Sequence, residues 1–219
     1  TDETISCINH YAQRDERIKL YENDKKLGQF ANRNKAASLA KGDLLMYVDS
    51  DDTIQSDSIS FAVDKFNNNP TVGFIMIYYG DRFSDETILS PEECIPKHFF
   101  DHNFLVVGPG ASVIRTELFK KINGFKDIFG PASDMYYNLL VASSTHVLLH
   151  KYKYLNYRIH DGQELNNPFA YLYQGYLYLQ YALSQSFLPM NESQIKFLRK
   201  KNKRRFLLNL IRYLLKTGQ

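Results

Sequence analysis

The sequence predicts an α/β layer fold: a mostly parallel central sheet flanked by helices, followed by a helical appendage. Three observations predict it. Short apolar runs alternate with helical patterns along the chain, the mark of strands and helices packed in layers. The run Leu44-Leu45-Met46-Tyr47-Val48 is apolar throughout, as in a strand covered on both faces, and ends abruptly in Asp49-Ser50-Asp51-Asp52. No repeat or low-complexity linker interrupts the chain before about residue 163, so 1–163 reads as one body and 164–219 as an appendage.

The elements follow in order. Thr1 to Tyr11 carries acids in its first turn and Ile5 and Ile8 at helical spacing, so it reads as a helix. Arg17 to Glu22 alternates polar and apolar like a strand. Phe30 to Ala40 is Ala-rich without a breaker and reads as a helix stopped by Gly42. After the acidic turn, Ser56 can cap a helix from Asp57 to Asn67 that Pro70 closes. Val72 to Tyr79 is the next strand. Gly80 to Pro109 shows no clean period and reads as a long irregular excursion. Ser112 to Arg115 reads as a strand, Thr116 as the cap of a short helix closed by Gly124, and Ser133 or Asp134 as the start of another helix to Ser143. His146–Leu149 and Tyr152–Tyr157 read as strands, and Pro168 to Lys216 as two helices parted near Pro189.

Composition excludes several classes. Of the 219 residues, 44% are hydrophobic and 14% aromatic, too many for a disordered chain. Apolar stretches break well short of the roughly 20 residues of a membrane span. The acidic, polar opening carries no secretory signal, and two cysteines, Cys7 and Cys94, make no disulfide framework. A cytoplasmic location is the expectation. No Cys/His spacing fits zinc. Gly108-Pro109-Gly110 lacks the strand–helix context of a dinucleotide site, and no serine nucleophile elbow occurs.

The net charge of +3 hides an asymmetry: residues 196 to 219 hold nine Lys or Arg and no acid. The body is therefore acidic and the tail basic. The tail pattern, basic residues followed by Phe206-Leu207-Leu208 and Leu210-Ile211, suits a helix lying on an anionic membrane surface, or equally a solvated basic helix. Residues 169–188 are dense in Tyr and Leu, which suits packing against the body or a homo-oligomer interface. The acidic body speaks against nucleic acid.

Three carboxylates within four residues repel one another unless a cation or solvent relieves them. At the carboxyl end of a strand, where open α/β sheets bind ligands, such a cluster suits Mg²⁺ or Mn²⁺ shared with substrate phosphates. The plainer alternative is an exposed acidic turn in which Asp52 or Thr53 caps the next helix.

Context adds to this. Asn32-Arg33-Asn34-Lys35-Ala36-Ala37, then Ala40-Lys41-Gly42-Asp43, then the strand into Asp49-Ser50-Asp51-Asp52 resembles the central stretch of family 2 glycosyltransferases. Gly110-Ala111-Ser112-Val113-Ile114-Arg115, Asn123-Gly124-Phe125-Lys126-Asp127, Ser133-Asp134 and Tyr157-Arg158-Ile159-His160 follow the family's later half in order. The resemblance implies the GT-A fold, with a first strand, first helix and second strand expected upstream of Thr1. It implies inverting transfer of a sugar from a nucleoside diphosphate, UDP by expectation, to a saccharide or lipid-linked saccharide at the inner face of a membrane. Asp51 and His160 would then hold the divalent cation, Asp49 and Arg33 the donor, and Asp134 would act as general base. The family's Glu-Asp stands here as Ser133-Asp134. Alternatives are a nucleotidyltransferase of related fold and a non-catalytic module whose tail recruits a partner.

Overall fold

The structure, a computed structural model, describes residues 3–158 and 170–218. Its centre is β3 (Val72–Ile77), whose six side chains are all buried. A strand so apolar needs cover on both faces, and it has it. Phe74 and Met76 join a core with α2 (Gln29–Leu39), α4 (Pro91–Phe100) and α6 (Ser133–Ala142). Ile75 and Ile77 point the other way, onto Ala62 and Phe66 of α3 (Ser58–Asn68). The strand alternation thus builds the layers directly.

Around β3 lie β1 (Leu44–Met46), β4 (Glu86–Leu89), β5 (Ser112–Arg115) and β6 (His146–His150), in the order β1-β5-β3-β6-β4. The sheet is mixed. β1, β3 and β6 share one direction, β5 and β4 run against them, and only β3 and β6 are parallel neighbours. The register slips at Gly73, where a Cβ would stand 2.4 Å from Thr145 Oγ1 and 2.8 Å from Leu118, so no larger residue fits the bulge. Two-residue strands β2 (Thr53–Ile54) and β7 (Leu155–Asn156) pair separately.

Several expectations are corrected here. Of the run Leu44–Val48 only Leu44–Met46 forms a strand, β1, which pairs with β5 among the described residues; Val48 beyond it is exposed. Arg17–Glu22 forms no strand; Ile18 and Tyr21 are exposed, and a local turn closes on Asp15, whose carboxylate accepts the Arg17 backbone and guanidinium N–H groups. Alternation without a partner edge does not make a strand. The stretch Gly80–Pro109 is not irregular: it contains β4 and α4, and α4 opens with a capping box in which Ser90 and Glu93 satisfy each other's backbone N–H groups. Thr116 does not cap α5 (Thr116–Lys121); its hydroxyl donates to the Gly42 carbonyl at 2.6 Å. Tyr152–Tyr157 is strand only at Leu155–Asn156. The other expected helices and strands are present, including α1 (Thr4–Ala12) and the final pair α7 (Ala170–Ala182) and α8 (Glu192–Thr217).

The appendage packs on the body. Tyr178, Leu179, Ala182 and Leu183 of the α7 segment lie in the main core, so part of the apolar content of 169–188 packs against the body, while Tyr173 stays exposed. α8 buries Leu198 and Asn202 and leaves much of its remaining surface open. No described helix is long and apolar enough to cross a membrane.

Asn34 joins the two halves of the body. Its amide donates to the Phe125 carbonyl and accepts the Phe125 N–H, both at 2.9 Å, beside the positive-φ pair Asn123 and Gly124. Asn34→Ala strands both backbone groups in a partly buried place, so urea unfolding should show a loss of about 2 kcal/mol. Asn34→Asp should keep the N–H contact and lose less.

Candidate functional site

The acidic turn hangs from the end of β1. Asp49 accepts both contacts of the Arg33 Nη2, each at 2.7 Å, across the gap to α2. The partners differ in exposure: the Arg33 side chain is 8% accessible and that of Asp49 is 44%. Arg33 Nη1 is buried with no hydrogen-bond partner. The Asp52 N–H closes the turn on the Asp49 carbonyl at 3.0 Å. The Asp52 carboxylate is buried and accepts the Arg158 backbone N–H at 3.0 Å, which ties the turn to the segment after β7. Asp52 therefore serves the loop and does not cap α3.

Asp134 arrives from the other side, in the first turn of α6. One of its oxygens accepts the Met135 N–H at 2.6 Å. A carboxylate there also gains from the positive end of the helix dipole. Ser133, in place of an acid, is fully buried and its hydroxyl accepts the Phe129 N–H at 3.2 Å. A short serine at this position anchors the turn before α6, a task that a charged side chain in a dry site would not do.

These residues share one cleft of about 750 Å³, lined by Arg33, Asp49, Asp51, Asp52 and Asp134 together with aromatic walls Tyr79 and Tyr157. The volume is in the range of small-molecule sites. Its floor is the Gly108–Ala111 turn, where Gly110 lies so close to Leu155 that a Cβ would stand 3.2 Å from a methyl. Burial, and after it the charge of Asp52, pushes the Tyr79 phenol above its usual range; the Tyr157 phenol is raised in the same way by burial and then by Asp52, Asp51 and Asp49. The acids thus project a negative field across the cleft mouth. Among the described residues no group of three or more His, Cys, Asp or Glu converges to hold a metal ion.

Of the residues expected from sequence, Arg33, Asp49, Asp51 and Asp134 line this cleft together. His160 lies outside the described residues. The sequence reading missed the walls Tyr79 and Tyr157 and the floor at Val106 and Val107. Tyr79 follows β3 at its carboxyl end, where ligands gather in such sheets, and that placement was the available signal.

The profile of glycosyl transferase family 2 matches residues 1–122, more than half of the chain. The chain belongs to this family. An uncharacterized glycosyltransferase of Methanocaldococcus jannaschii is 29% identical over 124 residues, 52% of this chain and 41% of that protein. An uncharacterized glycosyltransferase of Haemophilus influenzae is 37% identical over 59 residues, 27% of this chain and 24% of that one. The matches thus span less than half of either relative's length. Among solved structures, TarS 1-349 of S. aureus in complex with UDP-GlcNAc superposes with a TM-score of 0.68 at 17% identity, over 94% of this chain and 60% of that one. The mannosyltransferase PcManGT of Pyrobaculum calidifontis, in complex with GDP-Man and Mn²⁺, gives 0.58 at 17% identity, over 100% of this chain and 64% of that one. At that identity the superpositions establish the fold, which is GT-A.

The Arg33–Asp49 pair is measurable directly. A double-mutant cycle with Arg33→Ala and Asp49→Ala should give a coupling of about 1–2 kcal/mol in chemical unfolding, tempered by the exposure of Asp49. Additive losses would mean that the pair is not formed.

Proposed function

We propose that this cleft binds a nucleoside-diphosphate sugar, UDP-linked, and transfers its sugar with inversion to a hydroxyl of a saccharide or lipid-linked saccharide. One observation carries the reading: Asp49 and Asp51 from one end of the body and Asp134 from another line a single cleft, walled by aromatic rings, in a chain of glycosyl transferase family 2. The bound sugar nucleotides named for the two solved neighbours support it.

In this reading Asp49 accepts hydroxyls of the donor's ribose or sugar, held in place by Arg33. Arg33 Nη1, buried and lacking a partner, offers its N–H groups to a base or phosphate oxygen, since a donor left unpaired there is costly. Asp134 takes the proton of the acceptor hydroxyl. The alcohol becomes acidic only as its bond to the anomeric carbon forms, so a well-placed carboxylate suffices. Attack opposite the leaving diphosphate inverts the anomeric centre, through a transition state of oxocarbenium character.

The donor set fits a divalent cation that arrives with the substrate. One or two carboxylates plus phosphate oxygens are the usual shell of Mg²⁺, and Asp51 lines the cleft without a converging set of metal ligands among the described residues. Asp51 would hold it, with His160 as the further ligand that the family resemblance implies. Such an ion, Mn²⁺ or Mg²⁺, neutralises charge on the leaving diphosphate.

Thermal unfolding with UDP or GDP, each with and without Mn²⁺, tests the donor site. Saturation near a hundred times Kd should stabilise the protein by about 2.7 kcal/mol. Asp51→Ala should abolish the metal-dependent part. Asp134→Asn should keep the nucleotide response and slow sugar transfer about 10²- to 10⁴-fold. No response to any nucleotide–metal pair in folded protein leaves the non-catalytic reading.

The same reading places α8 against a membrane. Leu207, Leu208, Ile211, Leu214 and Leu215 are exposed and recur at helical spacing, downstream of Lys200, Lys203 and Arg204. The protein should co-sediment with phosphatidylserine vesicles and not with phosphatidylcholine vesicles. Ile211→Glu with Leu215→Glu, both at exposed positions, should release it; binding unchanged in that variant removes the membrane role.

A further inference from the structure

A second cavity, of about 380 Å³, opens between α4, α7 and α8. It borders the aspartate cleft: Val106, Met135 and Tyr171 line both. Met135 is the residue after the proposed base. The cavity's charges are the reverse of the cleft's. Four aspartates line the cleft, whereas among the described residues the cavity has no acidic side chain and two basic ones, Lys201 and Arg205. None of the ion pairs among the described residues involves either.

The cavity wall is built rather than incidental. Asn202, 2% exposed, donates to the Tyr176 carbonyl at 3.1 Å and accepts from Arg205 Nη2 at 3.2 Å, so a buried amide steers the guanidinium. The rings of Tyr176 and Phe206 stack at 4.5 Å, giving an aromatic surface of the type on which sugar C–H faces rest. His98, 4% exposed, lines the opposite side. Its Nδ1 accepts the N–H groups of Phe104 and Leu105, at 3.2 and 3.0 Å, which puts the ring proton on Nε2. Burial lowers its pKa to about 3, so the ring stays a neutral donor at physiological pH. Burial raises the Tyr178 phenol to about 12; the smaller opposing effects of Arg205, which lowers it, and Asp134, which raises it, put the basic wall and the proposed base within electrostatic reach of one group.

We infer that this cavity is an acceptor subsite for a sugar carrying an anionic group, phosphate or carboxylate, with Lys201 and Arg205 holding the anion and Tyr176 and Phe206 bearing the sugar face. The assignment rests on the transferase reading for its role as acceptor site, and on the cavity alone for its chemistry. A neutral saccharide would gain nothing from the charges of Lys201 and Arg205. An anionic one meets them through charge-assisted hydrogen bonds and places its hydroxyls toward the shared boundary at Met135. The volume lies in the range of small-ligand sites.

Titration of glucose 6-phosphate, glucuronate and glucose into the full chain, with and without saturating UDP, tests it by NMR. At least one anionic sugar should bind about tenfold or more tighter than glucose and perturb Tyr176 and Phe206, with UDP failing to displace it. Whichever of the two binds names the anion. Lys201→Ala with Arg205→Ala should abolish the preference while the thermal response to nucleotide stays intact. Equal binding of glucose, no binding of either anionic sugar, perturbation confined to the aspartate cleft, or an undiminished preference in the double variant each overturns the assignment. Anionic sugar bound in the cavity of a protein that answers to no nucleotide keeps the subsite and removes the transferase reading.

Discussion

A buried guanidinium is tolerated only where a carboxylate meets it, and much of the cleft follows from that constraint at Arg33. The side chain leaves α2 toward the interior, and Asp49 is the acid that meets it. Meeting it fixes the first residue of the acidic turn. The turn then closes on its own backbone through Asp52, whose carboxylate pins the segment after β7. Asp51 is left between two anchored neighbours, facing the cleft from a backbone already held at both sides. One ion pair thus orders a run of like charges that would otherwise push apart.

The fold was legible where burial and periodicity agree. Val72–Tyr79 reads as a strand, and Val72–Ile77 is one whose successive apolar residues enter two separate cores, as strand geometry requires. Leu44–Val48 reads as a strand too, but the ladder stops at Met46 and Val48 is exposed, because an apolar run does not mark where pairing ends. The α4 signal was present in Ser90-Pro91-Glu92-Glu93, a capping box with proline at the first turn, but Pro96 inside the helix hid the period. Arg17–Glu22 shows the converse failure: alternation is the pattern of a strand, and pairing is its cause. In the site, Asp49, Asp51 and Asp134 could be named from motif order. The bond between Arg33 and Asp49 could not, since it depends on how α2 lies across β1. The second cavity was hidden for the same reason; it exists only where three helices from distant parts of the chain meet.

The charge asymmetry of the sequence acquires an address in the structure. Read along the chain, it is an acidic body and a basic tail. Folded, part of the basic tail borders a cavity next door to the acids, with Lys201 and Arg205 at its solvent-exposed edge. Lys201 and Arg205 stand on a helix whose other exposed residues turn to solvent, so α8 divides its basic residues between the edge of this cavity and an outer surface. Opposite potentials in adjoining compartments would orient a dipolar guest, with its anion in one and its reactive hydroxyl at the boundary of the other.

Asn34 has a consequence that reaches beyond stability. Its amide behaves toward Phe125 as a neighbouring peptide would, giving and taking one hydrogen bond each, so it acts as a splint between a helix and a turn 91 residues further along. Arg33 is the preceding residue on that helix. The splint sets the helix's rotation about its own axis and with it the bearing along which the guanidinium leaves. The aim of the Arg33 guanidinium is therefore calibrated by a tight corner in the chain's later half, and a sequence change at that corner would be felt as a misdirected charge across the cleft.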